Sequence, residues 1–362
     1  MYGCGKEKTH VELPPPPQTE TPGGDDDGED PGGDTPGGET PGGGSTHSGP
    51  WDENRGKIVT PSGTGWESKT VREGIIYYHF SGTDVVTGAK QEVYAVDLDL
   101  SHPKYKVLLT RSASAVTTST VHANYNAIAT INAGYEQGSI YIRTEGKDYS
   151  IIPNVQIGTT GQDNWKSEGA FYITSSGAPG IVFVGSPKRD GVVSGIKGGT
   201  YAEAVGKQRT YYQKTLVKAS YPYLLSSAPL MIDDYEPLGD TFCNYTITDD
   251  AANKLNSENL EHHQRVRHPR TAVGITENKH FIMLVVDGRQ TNRAGMSCRE
   301  LTDFMVKWFN PQYALNLDGG GSTSMCVEGL GNSTTHIVDS PIDSGKPGQE
   351  RARDTHIVIV EK

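Results

Sequence analysis

The chain has 362 residues, a 34% hydrophobic share and a formal net charge of -11. Its length allows two or three domains, while the acid excess and the lack of any basic run exclude a phosphate-tracking nucleic-acid surface. No apolar run is long enough to cross a membrane as a helix.

Residues 1–50 cannot build a core. They repeat Thr-Pro-Gly-Gly at 21–24, 35–38 and 40–43 and hold 10 acids against 2 bases, whereas residues 51–362 hold 34 acids and 31 bases. With almost no apolar surface to offset chain entropy, the segment reads as a disordered tether. Cys4 follows a small residue and precedes a polar tail, the pattern of a mature bacterial lipoprotein start; the competing reading is an ordinary residue in a soluble tail. The first reading places an exported lipoprotein in the bacterial cell envelope, with a lipid anchor at Cys4 as its membrane contact. Cys243, Cys298 and Cys326 show no metal-ligand spacing, and the last two read as buried fillers. The expected organisation is a tether over 1–50, a lead-in over 51–74 and a folded domain over 75–362.

Along the folded part, residues 71–80, 92–99 and 105–110 read as successive strands separated by Ser-Gly-Thr-Asp and Ser-His-Pro turns. A short helix over 119–127 runs into a strand at 128–132. Residues 169–174 and 181–184 flank a Ser/Gly/Pro turn as a hairpin, and 230–234 forms a further strand. Residues 249–267 are polar and read as a solvated insertion, while strands at 271–276 and 357–360 complete the set. Strand runs with few helices point to an α+β fold with a strand-rich mixed sheet.

Two apolar runs stop abruptly at an acid. Residues 280–286 end in Asp287-Gly288-Arg289, and residues 314–317 end in Asp318, then Gly319, Gly320, Gly321, Ser322, Thr323 and Ser324. Between them Ser297 and Glu300 have the form of a capping box, and Leu301, Phe304, Met305 and Trp308 fall on one helical face. This is a βαβ unit. If its strands run parallel in one sheet, Asp287 and Asp318 stand on the same edge and face one crevice. Consecutive glycines suit a close approach of backbone to ligand, with bare amides for a phosphate or sugar oxygen and Asp318 as acid, base or metal ligand. A Walker A loop is excluded, because no Lys-Ser/Thr pair follows the glycines. The plain alternative is a glycine-rich turn.

The motifs, in order, resemble those of the phosphodiester glycosidases. They are Ile131-Asn132-Ala133-Gly134-Tyr135, Ser227-Ala228-Pro229-Leu230-Met231, His268-Pro269-Arg270-Thr271-Ala272-Val273-Gly274, Val286-Asp287-Gly288-Arg289-Gln290, Gly295-Met296-Ser297 with Glu300-Leu301, the loop from Asn316 to Ser324, and Glu350-Arg351. The resemblance spans residues 75–362. It departs at Ala133, Tyr135 and Glu136, where the family usually reads Asn-Gly-Gly-Phe-Phe, so the sugar-facing wall is altered.

The resemblance implies hydrolysis of a sugar 1-phosphodiester on a cell-envelope or extracellular glycan, without a cofactor or a nucleic-acid partner. Cleavage passes through an oxocarbenium-like state that a carboxylate assists, with arginine forks on the departing phosphate. On that basis Asp318 and Asp287 are the candidate carboxylates; His268, whose ordinary pKa lies near neutrality, reads either as a proton shuttle or as a structural residue before Pro-Arg. Arg270, Arg289 and Arg351 are candidate phosphate ligands, with Arg353 competing for the last role. Asn132 and Gly134 line the sugar side, and Gly319 to Ser322 shape the pocket. His262 and His263 form a metal pair only superficially. Two rivals stand: a Ca²⁺- or Mg²⁺-dependent phosphodiesterase that uses both aspartates as ligands, and a non-catalytic glycan-binding surface protein.

Overall fold

β-branched and aromatic runs cut by turn residues set the first meander: β1 (Trp66–Arg72), β2 (Ile75–Thr83), β3 (Lys90–Asp99) and β4 (Tyr105–Val116). Helix α1 (Thr118–Asn124), capped by the Thr117 side chain, leads to β5 (Ala129–Asn132). Next come β6 (Ile142–Thr144), β7 (Lys147–Ser150), β8 (Gly169–Ile173), β9 (Pro179–Phe183), β10 (Tyr223–Ser227), β11 (Leu230–Asp233) and β12 (Glu236–Pro237). The remainder is α2 (Asp249–Asn253), α3 (Leu260–Arg265), β13 (Arg270–Ile275), β14 (His280–Val286), α4 (Cys298–Trp308), β15 (Tyr313–Asn316), β16 (Met325–Val327), β17 (Ile342–Asp343), β18 (Lys346–Pro347) and β19 (Arg353–Glu361). The computed structural model describes residues 50–136, 139–150, 166, 168–183, 220–239, 247–255 and 259–362. The tether, Cys4, Cys243 and residue 184 of the expected hairpin lie outside them; β8 and β9 form that hairpin.

An eight-stranded sheet runs β1-β2-β3-β14-β13-β15-β11-β12, a four-stranded sheet β16-β5-β19-β4 and a five-stranded sheet β7-β6-β10-β8-β9. Strand β14 explains why its sequence is apolar without alternation. Phe281, Met283 and Val285 enter the main core with Ile131, Ile357 and Ile359 of the four-stranded sheet. Ile282, Leu284 and Val286 face the other way, onto Leu301, Phe304 and Met305 of α4. A strand buried on both faces needs apolar residues at every position. The outer face of the four-stranded sheet is covered in turn by Val121 and Ala127, packed on Val358 and Val360. The layers are therefore helix, sheet, core, sheet and helix. Cys298 and Cys326 are both buried.

The fold is α+β and strand-rich with few helices, and α4 starts at the expected Ser297–Glu300 capping box. One feature differs. Strands β14 and β15 both pair antiparallel with β13, so they run parallel to each other with β13 inserted between them. The βαβ unit is present, but the ladders of its sheet are antiparallel rather than mixed. The insertion over 249–267 also differs from the solvated segment expected of its polarity. Gln264 is 1% exposed and Glu261 8% exposed, and α3 lies against the start of β13, where its carbonyls receive the Arg270 guanidinium.

Candidate active site

The exits of β14 and β15 and the entrance of β13 meet at one edge, and the glycine loop crosses it. Each glycine there has its own reason. A Cβ on Gly319 would stand 2.7 Å from the Pro269 carbonyl oxygen, because the Gly320 amide donates to that same oxygen at 2.8 Å. Gly320 takes φ +60, the left-handed region that a side chain strains. A Cβ on Gly321 would come within 2.6 Å of Arg351 Nη2. The loop is thus bare backbone with guanidinium groups laid over it.

Asn132 fixes this loop from below. Its Nδ2 donates to the Asp318 carbonyl at 2.7 Å, while its Oδ1 accepts from Thr271 Oγ1 at 2.8 Å and from the Ser324 amide at 3.2 Å. It is fully buried, so it positions the loop instead of lining the sugar side. Gly134 is required by packing, since a Cβ would meet Ile140 at 2.5 Å and Leu225 at 2.8 Å.

Above the loop the charges are positive. Arg289, held at φ +58, reaches His268 Nδ1 with Nε at 3.3 Å and Nη2 at 3.1 Å. Burial, then Arg270 and Arg351, lower its pKa. Burial, Arg270 and Arg289 push the His268 imidazole down to about 2. A neutral ring that accepts at Nδ1 carries its hydrogen on Nε2, and Nε2 is buried without a hydrogen-bond partner among the described residues. His268 therefore presents a fixed N–H donor, not the proton shuttle expected of an ordinary histidine. Arg351 is anchored by Asp343 at 2.7 Å. Arg270, 1% exposed, donates to the carbonyls of Met296, His263 and Val266 at 2.7–2.9 Å. It is a structural cation that charges the site from behind.

Asp318 closes the other side. Its carboxyl is 11% exposed, and Arg353 Nη2 lies 3.1 Å from Oδ2 without an aligned hydrogen bond to that oxygen. Burial raises its pKa, while Arg353 and the Ser322 hydroxyl oppose the rise. Arg353 Nη1 lies 3.5 Å from Glu136, whose other oxygen is 3.5 Å from Lys166 Nζ. The Lys166 ammonium sits 4.7 Å over the Tyr135 ring, and the Tyr135 hydroxyl bonds the Ala228 carbonyl at 3.0 Å.

Asp287 shares the edge with Asp318 but has a separate set of partners. Arg293 Nη1 donates to Oδ2 at 2.8 Å, the Ser340 amide to Oδ1 at 3.0 Å, and Tyr94 lies at 3.4 Å. It is 1% exposed, and burial raises its pKa to about 6. The nearby Asp339 carboxyl is raised further, by burial and by Asp287 itself. The fold therefore brings Asp318, Gly319 to Ser322, His268, Arg289 and Arg351 together and leaves Asp287 in a sealed acidic pair.

Sequence reasoning missed Glu136, Lys166 and His263 as members of this edge. The departure at Tyr135-Glu136 was the available signal for the first. His263 gave none, because its polar segment suggested solvent, yet its Nε2 is 3.2 Å from the Tyr135 hydroxyl.

With the site in view, a family model for phosphodiester glycosidases matches residues 125–360, and the chain belongs to that family. Among solved structures it is similar to the catalytic domain of zebrafish N-acetylglucosamine-1-phosphodiester alpha-N-acetylglucosaminidase, auto-inhibited by its pro-peptide. The identity is 17%, the TM-score 0.51, and the match covers 84% of this chain and 87% of that chain. A Burkholderia pseudomallei protein is similar at 12% identity and TM-score 0.52, covering 84% of this chain and 98% of that one. At these identities the likeness is one of fold. No curated protein matches the chain.

Proposed function

We propose that the protein is a hydrolase that cleaves the C1–O bond of a sugar 1-phosphodiester on a cell-envelope or extracellular glycan, releasing free sugar and a phosphomonoester. One observation carries the reading: an exposed arginine, a neutral imidazole donor and a second arginine surround bare glycine backbone beside a buried carboxyl. Such a concentration of donors, held in place before the reaction, favours an anion that gains charge as a bond breaks. Arg289, Arg351 and the His268 Nε2–H receive the phosphate, with Gly319 to Ser322 as the floor and Asp318 at the bridging oxygen of the C1–O bond that breaks. The phosphate is a stable leaving group, so the barrier lies in forming the oxocarbenium-like centre that a carboxylate stabilises.

The reading gives the charge-neutralising role to guanidinium groups. The metal-dependent alternative needs Asp287 and Asp318 as joint ligands, and their separate partners do not favour that. The acidic Pro/Gly composition of residues 1–50 supports a tether at the cell envelope, with Cys4 as its lipid attachment. The test is a panel of sugar 1-phosphodiesters with and without chelator, following phosphomonoester and reducing sugar. Equal release of both, unchanged by chelator, is the expected result. Activity abolished by chelator and restored by Ca²⁺ or Mg²⁺ contradicts it.

A further inference from the structure

Two carboxylates flank one guanidinium at this site, and only one of them is a residue that the motifs single out. Arg353 Nη2 lies 3.1 Å from Asp318 Oδ2, and its Nη1 lies 3.5 Å from Glu136 Oε1. Asp318 is 11% exposed and Glu136 55%, so one prong of the fork holds an inner carboxyl and the other an outer one. Standing on the two prongs of one guanidinium keeps the pair within the roughly 9.5 Å that two carboxylates need to work across one glycosidic bond and one water. Asp287 does not fit that requirement, since both its oxygens are already bonded and it is 1% exposed.

We infer that Glu136 is the second catalytic carboxylate of this site, the base that takes the proton of the attacking water while Asp318 hydrogen-bonds the departing phosphate oxygen. The inference rests on the proposed cleavage of a sugar 1-phosphodiester. The water oxygen bonds to C1, the C1–O bond breaks and its electron pair leaves on the phosphate oxygen, and the water proton passes to Glu136 and then to solvent. The two environments suit this division. Burial works against ionisation of Glu136, but Lys166 and Arg353 hold its carboxyl below the ordinary value, whereas burial pushes Asp318 up. Two carboxyls driven apart in this way separate into base and acid. Lys166, whose side chain is 3% exposed, places a second cation 3.5 Å from Glu136 Oε2, so the base is held between two fixed charges.

The experiment compares the parent with Glu136→Gln, Glu136→Ala and Asp287→Asn in the full chain, on a sugar 1-phosphodiester that the parent turns over. Glu136→Gln should stay near the parent's melting temperature, because its amide oxygen still accepts from Lys166, whereas Glu136→Ala takes that carboxylate from an ammonium whose side chain is 3% exposed and should melt lower. In both variants kcat should fall about 10²-fold or more, the low-pH limb of kcat/KM should vanish, and added formate should restore part of the turnover of Glu136→Ala. Asp287→Asn should keep the limb. Glu136 variants within threefold of the parent, with the limb intact, overturn this inference and leave the proposed reaction standing. A parent that releases no sugar from any such phosphodiester overturns both.

Discussion

Arg353 Nη2 stands 3.1 Å from Asp318 Oδ2, with both side chains about nine-tenths buried. Removing the cation leaves a buried carboxyl without its counter-charge, which costs more than an exposed pair does. Arg353→Ala should lower turnover about 10²-fold. With the cation gone, the Asp318 pKa climbs further, so the high-pH limb of the rate profile, where Asp318 loses its proton, should move to higher pH. Arg353→Lys keeps the charge but not the fork, and should leave the limb close to the parent's. A limb that does not move in Arg353→Ala would detach the pair from the chemistry.

Arg289 and Arg270 predict opposite failures. Arg289→Ala removes an exposed guanidinium that touches His268; inhibition by a phosphomonoester should weaken about tenfold or more with little change in melting. Arg270→Ala strips donors from three carbonyls, each worth about 1–3 kcal/mol when left buried and unpaired. Its melting temperature should fall sharply before any effect on inhibition can be read.

The glycine loop separates backbone strain from steric contact. Gly320→Ala should cost about 1–2 kcal/mol from its left-handed φ and shift Arg289, whose Nη2 lies 3.2 Å from the new Cβ. Gly88→Ala is the control, with φ +64 and no atom within 4 Å. Gly319→Ala meets backbone at 2.7 Å, which cannot swing aside, and should lose activity most. Chemical denaturation and turnover of the three variants check the order.

Asp287 makes a pH prediction. Its folded pKa, near 6, lies above the ordinary value of 3.8, so the folded state holds a proton that the unfolded chain has released. Stability should therefore fall as pH rises through about 4 to 6. Asp287→Asn should reduce that slope, the remainder belonging to Asp339, whose pKa burial also raises, while keeping turnover within about threefold. A slope that persists unchanged would assign it to another group.

The strands of this fold were legible because burial wrote itself into composition. The run 280–286 is apolar at every position, and the structure packs both of its faces. Helix α4 was legible from its capping box and its spacing. The insertion of β13 between β14 and β15 was not, because no local pattern states which strands become neighbours. At the site, Asp318 and its glycines were readable because chemistry and backbone geometry coincide there. Asp287 has the same local pattern, an acid and a glycine after an apolar run, yet Arg293 and Ser340 close it off. Lys166 reaches Glu136 across a separation of 30 residues, a contact that only the tertiary fold makes.

The most direct measurement is hydrolysis of a sugar 1-phosphodiester in ¹⁸O-water, with the label located by mass spectrometry. Label in the free sugar is the predicted result, because water then attacks C1 and the phosphate departs with its bridging oxygen. Label in the phosphomonoester would contradict the account, since it requires attack at phosphorus.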